Sequence, residues 1–172
     1  MQDGRQRDAE FTDFVTGSQQ RLHRQALLLT GDAGQAQDLV QVTLEKLYVA
    51  WRRVEDPAAY AHRVMVNGFV RDRRRARRDR ELLAVPDGAR LERQPDHAIT
   101  VIDALRTLSP RMRAVVVLRY WEGQSVTRTA EVLGTSEGNV KSTASRALAR
   151  LRDLLGETFD DRASATTTQE AR

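Results

Sequence analysis

Cysteine is absent from this 172-residue chain. That one absence excludes disulfide bonds, thiol catalysis and every cysteine-based metal site. Aromatic residues make up only 5% of the sequence, and the three histidines, His23, His62 and His97, are scattered, with no HxxxH-like pair. No GxxxxGKS or GxxxxGKT loop and no GxGxxG after a strand is found. No serine sits among groups that resemble an activated nucleophile. An active site needs convergent groups, so no catalytic residue, no metal ligand and no cofactor is expected, and the chain reads as a non-enzyme. Long apolar runs are missing too, and the N-terminal MQDGRQRDAEF lacks the apolar core of a signal peptide. A cytoplasmic protein without membrane insertion is the expectation. Lysine occurs only at Lys46 and Lys141, so the positive charge is almost all arginine. Because the net charge is a modest +4, clustering rather than total charge has to carry any case for a nucleic-acid partner.

What is present is helical. No stretch alternates over strand length, and the apolar residues recur at helical spacing. A first helix is predicted over residues 10–29, closing near Thr30-Gly31. Asp32, with Gln35 three residues on, has the form of a capping box and opens a second helix to about residue 52. Asp56-Pro57 starts a third, with Asp as cap and Pro at the first helical position, and it carries Tyr60, Val64, Val66 and Val70. The pattern breaks over 83–97, where Pro86, Asp87-Gly88 and Pro95 are turn and breaker signals without an apolar stripe. Ile99, Ile102, Leu105 and Leu108 restart a helix, and Ser109-Pro110 caps another running to Tyr120. The expected architecture is all-α. Two small helical domains, 8–81 and 98–156, are joined by a flexible linker at 82–97 and followed by a polar, disordered tail at 157–172.

Residues 125–155 read SVTRTAEVLGTSEGNVKSTASRALARLRDLL. A short helix meets a turn at Gly134-Thr135, and a longer helix follows, with Ser136 as its N-cap. Ala130, Gly134 and Val140 supply a small residue where two helices touch, a turn glycine and an apolar residue facing back. This is the layout of a helix-turn-helix whose second helix can enter a major groove. At about 100° per residue, Val140, Ala144, Ala147, Leu148, Leu151, Leu154 and Leu155 fall on one stripe. Lys141, Ser142, Ser145 and Arg146 fall mostly on the other side, a short, polar and basic outward face.

Residues 71–80 read RDRRRARRDR, seven arginines against two aspartates. Asp72 and Asp79 can satisfy only part of that charge, and the natural partner of the rest is phosphate. Just before it, Tyr60, Met65 and Asn67 place aromatic and amide groups beside the basic run, where they could stack on or hydrogen-bond an unpaired base. Taken alone, that signal is weak. In the second helix Asp38, Gln41 and Glu45 share an edge by i, i+3/i+4 spacing, which by itself marks only a solvated face.

Two separated blocks nevertheless match one family. LTGDAGQAQDLVQVTLEKLYVAW, followed by DPAAYAHRVMVNGFVRDRRRARR, resembles the second conserved region of bacterial RNA polymerase sigma factors. RTLSPRMRAVVVLRYWEGQSVTRTAEVLGTSEGNVKSTASRALARL resembles their fourth region. The two-domain form is similar to the extracytoplasmic-function group, and the RVMVN block to an actinobacterial branch of it. The resemblance implies a dissociable promoter-specificity subunit that binds core RNA polymerase and promoter DNA. Asp38, Leu39, Val40 and Gln41, with Glu45 on the same edge, would dock on the clamp helices of the largest subunit. Arg53, Val54, Glu55 and Asp56, with Tyr60 and Asn67, would handle an extruded base of the −10 element. Arg71, Arg74, Arg75 and Arg78 would hold the adjacent backbone, and Lys141, Ser142, Ser145 and Arg146 would face the −35 element. An anti-sigma factor is also implied as a partner. Tyr60 stands where many members carry tryptophan, Arg128-Thr129 replace an acidic and an aliphatic residue, and Ser145 is smaller than some counterparts. The rival reading is a stand-alone helix-turn-helix regulator, which leaves the N-terminal block and the arginine run without a purpose. An interaction adaptor that does not initiate transcription is a third.

Overall fold

The computed structural model describes residues 2–82 and 100–155, with side chains over 5–79 and 100–155. The predicted linker and the polar tail after Gly156 lie outside the described residues. Three long helices form the N-terminal unit: α1 (Gln2–Thr30), α2 (Ala33–Ala50) and α3 (Pro57–Leu82), with a short 3-10 turn (Trp51–Arg53) before α3. The C-terminal unit holds α4 (Val101–Arg106), α5 (Pro110–Val116), α6 (Val126–Leu133) and α7 (Glu137–Leu155). The end of α5 widens into a π turn over Val117–Trp121, where the Glu122 N–H reaches back to the Val117 carbonyl at 3.0 Å. Among the described residues there is no strand.

The helix starts follow the sequence signals, with two differences. Asp32 accepts from the Gln35 N–H at 2.8 Å, Asp56 from Ala59 at 2.9 Å, Ser109 from Met112 at 3.3 Å and Ser136 from Asn139 at 3.2 Å. The capping box at Asp32 is only half formed. Gln35 does not reach back to the Asp32 N–H, because its Oε1 accepts from Arg73 of α3 instead. Helix α1 also begins well before Glu10. Its early turns are held from outside: Arg7 lies 4.2 Å over the Tyr48 ring, Asp8 accepts from the Tyr48 hydroxyl at 2.7 Å, and Phe11 meets Tyr48 and Trp51 edge-on. Polar residues anchored on α2 leave no apolar period to read. Gly31, between α1 and α2, has φ +71°, and a Cβ there would lie 2.4 Å from Cγ of Arg106. Both conformation and space demand glycine.

The two units do not stand apart. Leu22, Ala26 and Leu29 of α1 and Met65, Val66 and Phe69 of α3 form one buried cluster with Ala114, Val117 and Leu118 around the end of α5 and Val132 of α6. The sequence pattern assigns those four C-terminal residues to their own unit. Instead, that unit closes smaller cores, one of Leu105, Leu108, Val116, Ala147 and Leu151 and one of Val115, Ala130, Val140 and Ala144. Arg113 completes the junction. Its buried guanidinium donates to the carbonyls of Leu29 (2.7 Å) and Thr30 (3.4 Å) at the end of α1, and to those of Arg106 (2.9 Å) and Leu108 (3.4 Å) at the end of α4. Burial, with Arg73 and Arg106 nearby, lowers its pKa to about 10, so it stays charged at neutral pH.

Candidate nucleic-acid interface

The helix-turn-helix rests on α6 and α7. Ser125 caps α6 by accepting from Arg128 N–H at 3.0 Å. Gly134 ends it in the left-handed region at φ +58°, and the Thr135 N–H returns to the Ala130 carbonyl at 3.0 Å. No atom crowds that glycine, so its backbone alone fixes the residue. Thr127 donates to Glu137 at 2.6 Å and ties the starts of the two helices together. Val140, Ala144, Ala147, Leu148 and Leu151 are buried as the stripe requires, while Lys141, Ser142, Ser145 and Arg146 are exposed. Arg128 turns outward to Glu131 (3.0 Å), whereas Thr129 is fully buried with its hydroxyl unpartnered. The unusual threonine therefore shapes the inside of the motif.

On α3, Tyr60, Asn67, Arg71, Arg74 and Arg78 recur at i, i+7, i+11, i+14 and i+18, and at about 100° per residue they share one face with Arg75 at its edge. Tyr60 is half-buried against the core, with Arg63 5.6 Å from its ring centre. Asn67 and Arg71, Arg74, Arg75 and Arg78 are exposed, with ion pairs Arg71–Asp72 (3.6 Å) and Arg75–Asp79 (4.0 Å). Arg73 leaves the basic run. It points inward to Gln35 at 2.5 Å and to the Thr30 carbonyl at 3.4 Å. In the 53–56 loop Arg53 and Glu55 are exposed, Val54 packs on the core, and the Asp56 carboxylate is engaged as the α3 cap.

Of the α2 residues, Asp38, Gln41 and Glu45 are exposed, with Gln41 donating to Glu45 at 3.0 Å. Leu39 is half-buried and Val40 belongs to the core, so Val40 supports this surface from beneath. Sequence reasoning passed over Val42 and Val49, which are 43% and 82% exposed beside the polar edge. Their signal was available: two valines at positions that helical spacing assigns to water.

Behind α3 lies a buried polar group that also has no local signature. Arg21 of α1 meets the Glu122 carboxylate at 2.5 Å, His62 Nε2 lies 3.7 Å from the same oxygen, and His62 Nδ1 pairs with Gln25 Oε1 at 2.6 Å. Burial pushes the His62 pKa below its ordinary value, and Arg21 adds to that; Glu122 and Asp56 oppose it. A base with a depressed folded-state pKa contributes stability above its unfolded value of about 6.5, and the contribution is lost as pH falls from there through the folded pKa. The urea midpoint of the free chain should therefore be level above pH 7 and decline through the window below about 6.5. His62→Gln should flatten that decline. An unchanged slope in the variant would assign it to other groups.

Comparisons with known proteins fall on the same two units. The family model described as sigma-70 region 2 matches residues 14–79, and that described as sigma-70, region 4 matches residues 99–151. RNA polymerase sigma-E factor of Streptomyces coelicolor is 42% identical over 167 residues, covering 90% of this chain and 91% of that protein. The ECF RNA polymerase sigma factor SigL of Mycobacterium tuberculosis is 37% identical over 150 residues, covering 79% of this chain and 83% of its own length. Among solved structures, the sigma factor RpoE in complex with the anti-sigma factor NepR from Bartonella quintana is similar at a TM-score of 0.66 and 26% identity, covering 87% of this chain and 98% of that one.

Proposed function

We propose how this chain, which belongs to the sigma-70 family and directs transcription initiation as an extracytoplasmic-function RNA polymerase sigma factor, divides that work between its two helical units. It is an initiation factor and not an enzyme. No described helix is long and apolar enough to cross a membrane. A sigma factor binds core polymerase and promoter DNA, and three surfaces of this chain suit those tasks. The exposed edge of α2, with Asp38, Gln41 and Glu45 around Val42 and Val49, docks on the clamp helices of the largest subunit. Lys141, Ser142, Ser145 and Arg146 face the −35 duplex. The face of α3 takes the −10 element, with the 53–56 loop, Tyr60 and Asn67 receiving an extruded base and Arg71, Arg74, Arg75 and Arg78 holding backbone phosphates.

One observation carries this division: a single helical face runs from an aromatic and an amide into four exposed arginines. An unpaired base needs a stacking surface and hydrogen-bonding groups, and the strand that continues from it needs charge along its path. The unpairing costs a few kcal/mol, which contacts made in the polymerase-bound state offset. An anti-sigma factor is a further proposed partner. It would cover the α2 edge or the outward face of α7, where it would compete directly with polymerase or promoter.

Run-off transcription with purified core enzyme tests the whole reading, because a stand-alone regulator would bind duplex DNA unaided and initiate nothing. The docking surface has a narrower test. Asp38→Ala combined with Gln41→Ala removes exposed polar groups, so folding should change by no more than about 0.5 kcal/mol per site. Pull-down of core polymerase should weaken all the same. Unchanged pull-down with a collapsed helical CD signal would make these residues structural.

A further inference from the structure

We infer that the closed pairing of the two units is an off state of the free chain, held by Glu122 as a latch between Arg21 of α1 and His62 of α3. The inference rests on the reading of Asn67 as a base-contacting residue. In this arrangement α6 lies beside the DNA-facing stripe of α3, and the Asn67 side-chain nitrogen donates to the Val132 carbonyl at 3.0 Å. The hydrogen-bonding group that would meet an extruded base is thus already engaged by the unit that would read the −35 duplex.

Glu122 is placed to hold that arrangement. Its side chain is 1% exposed, yet it comes from the end of the π turn and finds its charged partner on the other unit, at Arg21. Arg21 itself is largely exposed, so one half of the ion pair remains open to solvent and to competing partners. The pairing is also incompletely satisfied. Glu122 Oε1, Gln25 Nε2 and Arg113 Nε are buried without a hydrogen-bond partner, all at this junction. Unpaired polar atoms penalise the closed form, because opening hands them to water. A permanent interface would be expected to satisfy them. A reversible one can leave them as a built-in bias that a partner exploits. Core polymerase would release the latch to the extent that it binds the open form better than the closed one.

The chain contains no cysteine, so two introduced ones label it uniquely. Gln20→Cys on α1 and Arg150→Cys on α7 are exposed positions outside the surfaces named above. Pulsed electron-resonance distances between spin labels there should show one narrow population in the free full-length chain. Arg21→Ala, which leaves the fold of the C-terminal unit untouched, should broaden and lengthen that distribution at unchanged helical CD, and Glu122→Ala should do the same. Each variant should also bind a fluorescent, mixed-sequence single-stranded oligonucleotide pool severalfold more tightly without core enzyme. A narrow distribution retained in both variants overturns the latch. Opening without tighter binding overturns the off state, and Asn67→Ala in the opened chain separates the causes. If that substitution lowers binding, the base-contact reading holds and the closed form simply does not block it. If it changes nothing, the base-contact reading fails.

Discussion

Arg113→Met should destabilise the free chain by about 3 kcal/mol or more, since hydrogen bonds to charged groups contribute about 1.5–3 kcal/mol each. Two of the four bonds from this guanidinium are short, at 2.7 Å to Leu29 and 2.9 Å to Arg106, and they close the carbonyl ends of α1 and α4 together. A positive charge at two helix C-termini is favourable in itself. Methionine keeps most of the packing against Phe69, over which the guanidinium lies at 5.6 Å, and leaves the carbonyls without donors. Arg113→Lys should rescue little, because one ammonium cannot span both helix ends in a fixed fork. Urea denaturation followed by far-UV CD measures both. A methionine variant within about 0.5 kcal/mol of the parent, the range of ordinary surface changes, would mean that water replaces the guanidinium and that it does not hold the junction.

The second large effect separates the two DNA surfaces. In holoenzyme, Lys141→Ala or Arg146→Ala should cost about 1–3 kcal/mol wherever the side chain meets a base edge, with relaxed preference at that position. Arg71→Ala, Arg74→Ala, Arg75→Ala or Arg78→Ala should weaken binding across all sequences and reduce the salt slope by about one unit per lost phosphate contact. Asn67→Ala should spare closed-complex formation and impair strand opening, read by permanganate footprinting on duplex and pre-melted promoters. Arg73→Ala is the internal control. Its guanidinium is tied to Gln35 and Thr30, so it should lower thermal stability and leave the salt slope alone. Equal loss on both templates, with a normal salt slope for every arginine variant, would reduce Asn67 and the arginine run to ordinary surface.

The behaviour of Arg73 shows where sequence reading stops. Seven arginines in ten residues announce a basic surface, but nothing local marks the one that turns inward to cross-link α3 to α2. The helix-turn-helix was legible because its determinants are neighbours: Ser125 and Ser136 cap, Gly134 turns, and Val140 to Leu151 repeat on one side. The start of α1 was not, since its first turns are held by Tyr48, some 40 residues away along the chain. Glu122 and Arg21 are 101 residues apart and Arg113 and Leu29 are 84 apart. Pairings of that span leave no periodicity, because each depends on how the two units meet. The same holds for the four apolar residues around α5 and α6 that complete the core of the other unit.

The π turn at Val117–Trp121 gives this chain a particular sensitivity to insertion and deletion. A wide turn accommodates one residue more than an α-helical turn of the same stretch. Losing a single residue there would restore ordinary winding and swing everything after it by about 100° around the helix axis. The Glu122 carboxylate would then be aimed away from Arg21 and His62, although every side chain of the pairing was still encoded. A substitution tally between relatives would register no change at any of the three positions. Whether a homologue shares this closure is thus a matter of spacing, to be read from the length of the segment between Pro110 and Ser125.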